Sequence, residues 1–223
     1  MELIMEQFPI VIQSLNVGFL QTLKLFFVTL LGALPLGLII AFGSMSHFRP
    51  LKYITNIIVW VVRGTPLMIQ MLIIYYFPGL VLNNVVWGGG ESGRFVAASV
   101  AFIFNYACYF SVIYRGGIQS VPQGQTEAGR SLGLNFTQTM RLIIIPQAFK
   151  NVLPALVNEF IVLIKETSII GYIGMMDLTK GAMLIQSRTY NAFMPLLAAA
   201  AIYLIVVMVL TFFMNKLERR LRT

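Results

Sequence analysis

Five long apolar runs dominate this chain of 223 residues, and no other feature constrains its fold as strongly. A helix needs about 20 mostly apolar residues to cross the hydrocarbon core of a bilayer. Stretches near 16–43, 53–82, 95–114, 152–172 and 193–214 reach that length, the fourth being interrupted by Asn158, Glu159, Lys165 and Glu166. Charged residues make up 11% of the chain and hydrophobic ones 58%, whereas a soluble domain carries about 25% charge. So few charges cannot coat a water-facing surface. The expected fold class is therefore an all-α integral membrane bundle of about five transmembrane helices, in one domain over residues 1–223. Glu2 and Glu6 precede the first basic residue, Lys24. That is not the basic start of a cleaved signal, so the first run reads as a retained helix.

The same residues exclude several functions. The net charge is +8, but the cations gather between the apolar runs, which is a membrane pattern and not a nucleic-acid surface. One cysteine, Cys108, allows no intrachain disulfide, and with His47 as the single histidine no zinc site is expected. Gly88-Gly89-Gly90 and Gly93 are followed by Arg94. A phosphate loop needs Lys-Ser/Thr at that point, so the stretch reads as a turn and the chain holds no nucleotide site of its own.

Lys and Arg in short loops mark the cytoplasmic side. Arg49, Lys52, Arg115, Arg130, Arg141, Lys150, Lys216, Arg219, Arg220 and Arg222 fall on one side, against Arg94, Lys180 and Arg188 on the other. The side with ten is expected to be cytoplasmic, which puts the N-terminus outside and the C-terminus inside. Asp177, Lys180 and Arg188 read as a solvated outer face, with contact to a solute-binding protein as the alternative.

The cytoplasmic stretch 115–151 is too long for a plain connection within a bundle. Ser120 and Gln123 fit a capping box and Pro122 suits a first turn, so a short helix is expected from near Val121 to near Gly133. Glycine within a helix costs about 1 kcal/mol relative to alanine. Gly124 and Gly129 therefore suggest close approach of another backbone, with a frayed amphipathic surface helix as the plainer reading.

Glu127-Ala128-Gly129, three residues, Gly133, nine residues and Ile143-Ile144-Ile145-Pro146 resemble the EAA signature of ABC importer membrane subunits, E-A-A-x-x-x-G, nine residues, I-x-L-P. Gly129 and Ile145 depart from the pattern without changing its spacing. Arg63-Gly64-Thr65-Pro66-Leu67 is similar to the R-G-T-P-L of polar amino acid permeases. Pro146-Gln147-Ala148 through Leu153-Pro154-Ala155-Leu156, Asn158-Glu159-Phe160, Leu163-Ile164-Lys165-Glu166-Thr167-Ser168 and Leu217-Glu218-Arg219-Arg220 also match elements of that family. The resemblance implies a type I ABC importer (MetI-like) fold, with stretch 119–146 as the coupling segment that docks on a cytoplasmic ATPase through Glu127, Ala128, Gly129, Arg130, Gly133 and Pro146. It implies a non-enzymatic transport subunit of a bacterial inner membrane that takes up polar amino acids by alternating access. The implied partners are a second permease subunit, identical or not, two ATPase subunits that bind the ATP and Mg, and an external amino-acid-binding protein. No cofactor or metal is implied in this chain.

Depth within the membrane groups a second set of residues. At 1.5 Å per residue, Arg63 and Asn105 both lie about 15 Å from their ends of the expected spans, and Glu159 about 10 Å. Transporter sites recur near the midplane, and a charge there must face the bundle. Pro66 frees backbone groups in the preceding turn. Arg63 with the backbone at Gly64 is a candidate for a substrate carboxylate, and Glu159 for an ammonium or basic side chain, with Thr65, Gln70 and Asn105 lining the site. Simple pairing of Arg63 with Glu159 is the structural alternative. A stand-alone secondary transporter or channel is the competing function, though no internal repeat supports it.

Overall fold

A computed structural model describes residues 2–191 and 193–222, with the side chains of residues 2–14 and 222 not described, so the Glu2, Glu6 and Arg222 side chains used above lie outside it. Among the described residues every regular element is helical. In chain order these are α1 (Glu2–Ser44), α2 (Arg49–Arg63), α3 (Leu67–Val81), α4 (Gly90–Gln119), α5 (Gln123–Ser131), α6 (Phe136–Thr139), a π-helical turn (Met140–Ile144), α7 (Ile145–Glu166), a 3-10 segment (Thr167–Ile173), α8 (Leu178–Thr189) and α9 (Met194–Arg222).

Among the described residues three helical stretches are long and apolar enough to cross a membrane: Leu15–Ser44, Gly90–Gln119 and Met194–Leu221. The stretch 53–82, expected as one helix, is instead two, α2 and α3, which meet at 104°. Pro66 has no N–H to give and disfavours α geometry at the residue before it, and it stands as the N-cap of α3 in an extended conformation. Helix α7 has 22 residues, about 33 Å of rise, but its polar side chains keep it outside that group of uniformly apolar helices.

Helix α4 is the core of the bundle. Ala97, Ala98, Ala101, Phe102, Asn105, Tyr106, Ala107, Cys108 and Phe110 are all buried along it. Small residues let neighbours close on it. Ala33, Gly37 and Ala41 recur every fourth position on one face of α1, and a Cβ at Gly37 would come within 2.8 Å of Phe110 Cβ and 2.9 Å of the Ala107 carbonyl. With little hydrophobic drive between helices in lipid, such close contact supplies the packing energy. On the other flank Gly117 meets Val152 and lies against the Ala148 carbonyl, which seats α4 on α7. Helix α9, by contrast, is covered over only 6% of its apolar window and presents Leu204, Ile205, Met208 and Phe212 outward.

Candidate functional site

Two regions hold the residues singled out by the sequence. The first is the helical turn at α5. Its only buried residue is Gly129; Glu127, Ala128 and Arg130 are exposed. A Cβ on Gly129 would stand 3.0 Å from Thr139 and 3.2 Å from Ile143. The close approach made by Gly129 is therefore to the chain's own next turn, not to a foreign backbone. Gly124 has open space around it.

The end of α5 explains Gly133. Its φ is +77°, a left-handed conformation that costs other residues about 1–2 kcal/mol. Leu134 N–H bonds the Gly129 carbonyl at 3.0 Å and Gly133 N–H bonds the Arg130 carbonyl at 2.9 Å, the paired bonds of a Schellman cap. The start of α5 differs from the expected capping box at Ser120 and Gln123. Pro122 is the N-cap and no side chain caps the helix. The Ser120 hydroxyl donates to the Gly117 carbonyl at 2.8 Å and accepts from Asn151 Nδ2 at 2.8 Å. A capping box does form, one element later, where Asn135 and Gln138 exchange bonds at 2.9 Å and start α6. Pro146 opens α7 just after the π turn. A proline ring crowds the carbonyl four residues back, and a widened turn relieves that crowding.

Behind its exposed face α5 is braced. Gln147 Nε2 on α7 donates to Gln125 Oε1 at 3.2 Å, Asn151 reaches Ser120, and Val121, Ile144 and Ala148 form a small apolar cluster with Ile118, Met140 and Ile143. In front, Leu132 and Phe136 are 79% and 73% exposed. These two were not singled out in the sequence. Bulky apolar residues also occur nearby at Leu134, Met140 and Leu142, so the sequence alone does not single these two out.

The second region is the α2–α3 break. Gly64 is the C-cap of α2, its N–H on the Trp60 carbonyl. The Thr65 hydroxyl donates to the Val61 carbonyl at 2.9 Å. Gln70 Nε2 donates to the Val62 carbonyl at 2.7 Å and to Thr65 Oγ1 at 2.6 Å, and lies 3.1 Å from the Thr65 carbonyl. Gln70 Oε1 accepts from Asn105 Nδ2 of α4 at 2.9 Å, and Asn105 is buried. Thr65, Gln70 and Asn105 are thus brought together, and they satisfy the carbonyls that the break exposes.

Arg63 and Glu159 are placed differently. The Arg63 guanidinium carbon lies 5.0 Å from the centre of the Tyr109 ring, a cation–π distance. Glu159 of α7 is half-buried and within electrostatic reach of Arg63 and Glu166, but no ion pair joins it to Arg63 among the described residues. Glu166, seven residues further on the same face, accepts from the Tyr106 hydroxyl at 2.7 Å. Two carboxylates and two tyrosines thus line the α4–α7 side of the bundle, with the exposed Arg63 of α2 over the Tyr109 ring.

On the opposite end of α7 the expected solvated face is not uniform. Asp177 is buried and caps α8 by accepting from Thr179 and Lys180 N–H groups, each at 3.0 Å. Burial pushes its carboxyl above the usual carboxylate range, and these N–H bonds oppose that rise. Arg94 donates to the Gly174 carbonyl at 3.3 Å and to Tyr75 Oη at 3.4 Å.

The sequence over residues 33–223 matches the family described as binding-protein-dependent transport system inner membrane component. The arginine transport system permease protein ArtQ of Bacillus subtilis strain 168 is 38% identical over 97% of this chain and 94% of that protein. The putative glutamine transport system permease protein GlnP of Rickettsia conorii is 37% identical over 92% of this chain and 91% of its own. Among solved structures, a crystal structure of an amino acid ABC transporter with histidines aligns at a TM-score of 0.87 with 39% identity, covering 98% of this chain and 97% of that one. The inward-facing methionine transporter MetNI shares the fold at a TM-score of 0.67 and 17% identity, over 95% of both chains.

Proposed function

The chain belongs to the family of binding-protein-dependent transport system inner membrane components, and on that footing we propose that it is the membrane permease subunit of an ATP-binding cassette importer for polar amino acids. The observation that carries the proposal is the α5 turn, whose motif residues Glu127, Ala128 and Arg130 are exposed while its Gln125 is held by Gln147 of α7 and its Gly129 lies against Thr139 and Ile143. A surface built this way takes a push from outside and passes it to membrane helices. The partner supplying the push is a cytoplasmic ATPase that binds ATP and Mg. Leu132 and Phe136 beside the motif are the apolar anchors for it, since buried bulky side chains dominate such interfaces. The N-terminus lies outside and the C-terminus in the cytoplasm.

The substrate passes the interior between α2, α4 and α7. Thr65, Gln70 and Asn105 hold the wall by satisfying one another and the broken backbone. Arg63 and Glu159 retain free polar atoms and face the two ends of an amino acid zwitterion, Glu159 meeting the ammonium or a basic side chain. The names of the relatives, an arginine and a glutamine system, support an amino acid with a polar side chain. A second permease copy or a related subunit covers α9, whose apolar length is otherwise exposed, and an external binding protein delivers the substrate. The complex alternates between outward and inward openings as ATP is hydrolysed.

The test is co-expression with an ATPase subunit encoded beside the chain, followed by pull-down of wild type and of Ala128→Trp. Retention by wild type and loss in the variant is the expected result. Equal retention, or none by either, would remove the coupling role and bring forward a stand-alone secondary transporter.

A further inference from the structure

Helix α2 carries a groove of about 730 Å³, and all six residues that line it, Arg49, Lys52, Tyr53, Asn56, Ile57 and Trp60, come from this one helix. Spaced three and four apart, they form one stripe. Its opposite side packs inward through Val59 and Val62 against Cys108, Ile40 and Val112. We propose that the groove seats an anionic phospholipid of the cytoplasmic leaflet. The leaflet rests on the orientation proposed above; the lipid contact does not.

Charge is the first argument. Arg49 and Lys52 stand in the first turn, and a third cation joins them from α4, where Arg115 Nη1 donates to Asn56 Oδ1 at 3.0 Å. No acidic residue occurs anywhere in α2, so nothing in the helix neutralises them, and the helix dipole already disfavours cations in a first turn. Order along the helix is the second argument. The cations come first, Tyr53 next, then Ile57 and Trp60, which lies about 16 Å beyond Arg49 by helical rise. That sequence follows a phospholipid from phosphate through the interfacial region, where Tyr53 suits the headgroup boundary, into its acyl chain beside Ile57 and Trp60. Lys and Arg next to the cytoplasmic leaflet attract anionic lipid. A second copy of the chain fits the stripe poorly. A two-fold axis along the membrane normal would set Arg49 and Lys52 at the same depth as their own images, cation against cation.

Native mass spectrometry of the assembled, detergent-purified complex reads this directly. Titrated with phosphatidylglycerol and, separately, phosphatidylcholine, wild type is expected to retain phosphatidylglycerol preferentially. Arg49→Gln with Lys52→Gln should lower that preference about thirtyfold, at a lipid-surface contribution of about 1 kcal/mol per cation. Arg49→Lys with Lys52→Arg should keep it, which guards against simple misfolding, and Arg188→Gln on the other side should leave it unchanged. Equal retention of the two lipids, or an equal loss in Arg188→Gln, would overturn the proposal. So would dissociation of the permease pair in the Arg49→Gln, Lys52→Gln variant, which would make the groove an interface between subunits. Thiol labelling of His47→Cys tests the leaflet separately. Labelling from the cytoplasmic face alone is expected, and labelling from the outer face would overturn the leaflet together with the proposed orientation while the lipid titration still stands on its own.

Discussion

The α5 turn and the α2–α3 break are both sharp interruptions with a glycine and a proline in them, yet they spend their polar groups in opposite ways. At the break, Thr65 and Gln70 turn inward onto the carbonyls of Val61, Val62 and Thr65, and Asn105 closes the network from α4. At α5 the backbone caps itself through Gly133, which leaves Glu127, Ala128 and Arg130 unused by the fold and exposed. A motif residue whose bonds are all internal maintains a shape. A motif residue left on the surface of a braced element is there for something else to touch. By that criterion the candidate transport residues divide: Gln70, Thr65 and Asn105 bond to one another, and Arg63 and Glu159 are the ones we propose meet a substrate.

The sharpest way to separate the two regions is to change their surfaces independently. Leu132→Glu with Phe136→Glu should abolish ATPase co-purification, a loss of at least a hundredfold at about 2 kcal/mol or more per anchor, while the melting temperature of the permease stays unchanged. A parallel fall in melting temperature would mean that the two side chains support the fold. Next in size, Gln70→Ala should destabilise the permease by about 1–3 kcal/mol, because it leaves the Val62 carbonyl and Asn105 unsatisfied in the interior. Thermal unfolding in detergent reads this, and ATPase binding by the folded fraction should be normal. Glu159→Gln should change substrate preference or lower uptake about tenfold with stability and ATPase binding unaltered. Unchanged uptake and preference would return Glu159 to a structural role. Gly133→Ala, which has space for a Cβ but a φ of +77°, should cost about 1–2 kcal/mol of local order at α5, seen as faster amide exchange there. Asn135→Ala, which removes one cap, should cost about 1 kcal/mol at α6 and be the smallest effect.

Apolar length was legible from composition alone, and 16–43 and 95–114 lie within α1 and α4. Hydropathy carries no direction, so the 104° turn within 53–82 was not visible, although Pro66 marked its place. The misplaced cap at α5 has a tertiary cause. Ser120 looks free locally, but its hydroxyl is engaged by Asn151, 31 residues away, while Asn135 and Gln138 meet only each other and could have been read directly. A glycine at 129 shows that something is close without showing on which side, and the neighbours are Thr139 and Ile143 of the same chain. Asp177 looked like part of a solvated face for the same reason, since its burial depends on α1 and α8 closing over it, Gly18 lying against its carbonyl.

The most direct measurement is ATP hydrolysis by the reconstituted complex, permease with its ATPase and binding protein, in the wild type and in Ala128→Trp. If α5 is the coupling surface, substrate-loaded binding protein stimulates hydrolysis in the wild type and fails to do so in the variant, whose permease remains folded. Equal stimulation in both would contradict the account, because the outer signal would then be reaching the ATPase by a route that does not pass through α5.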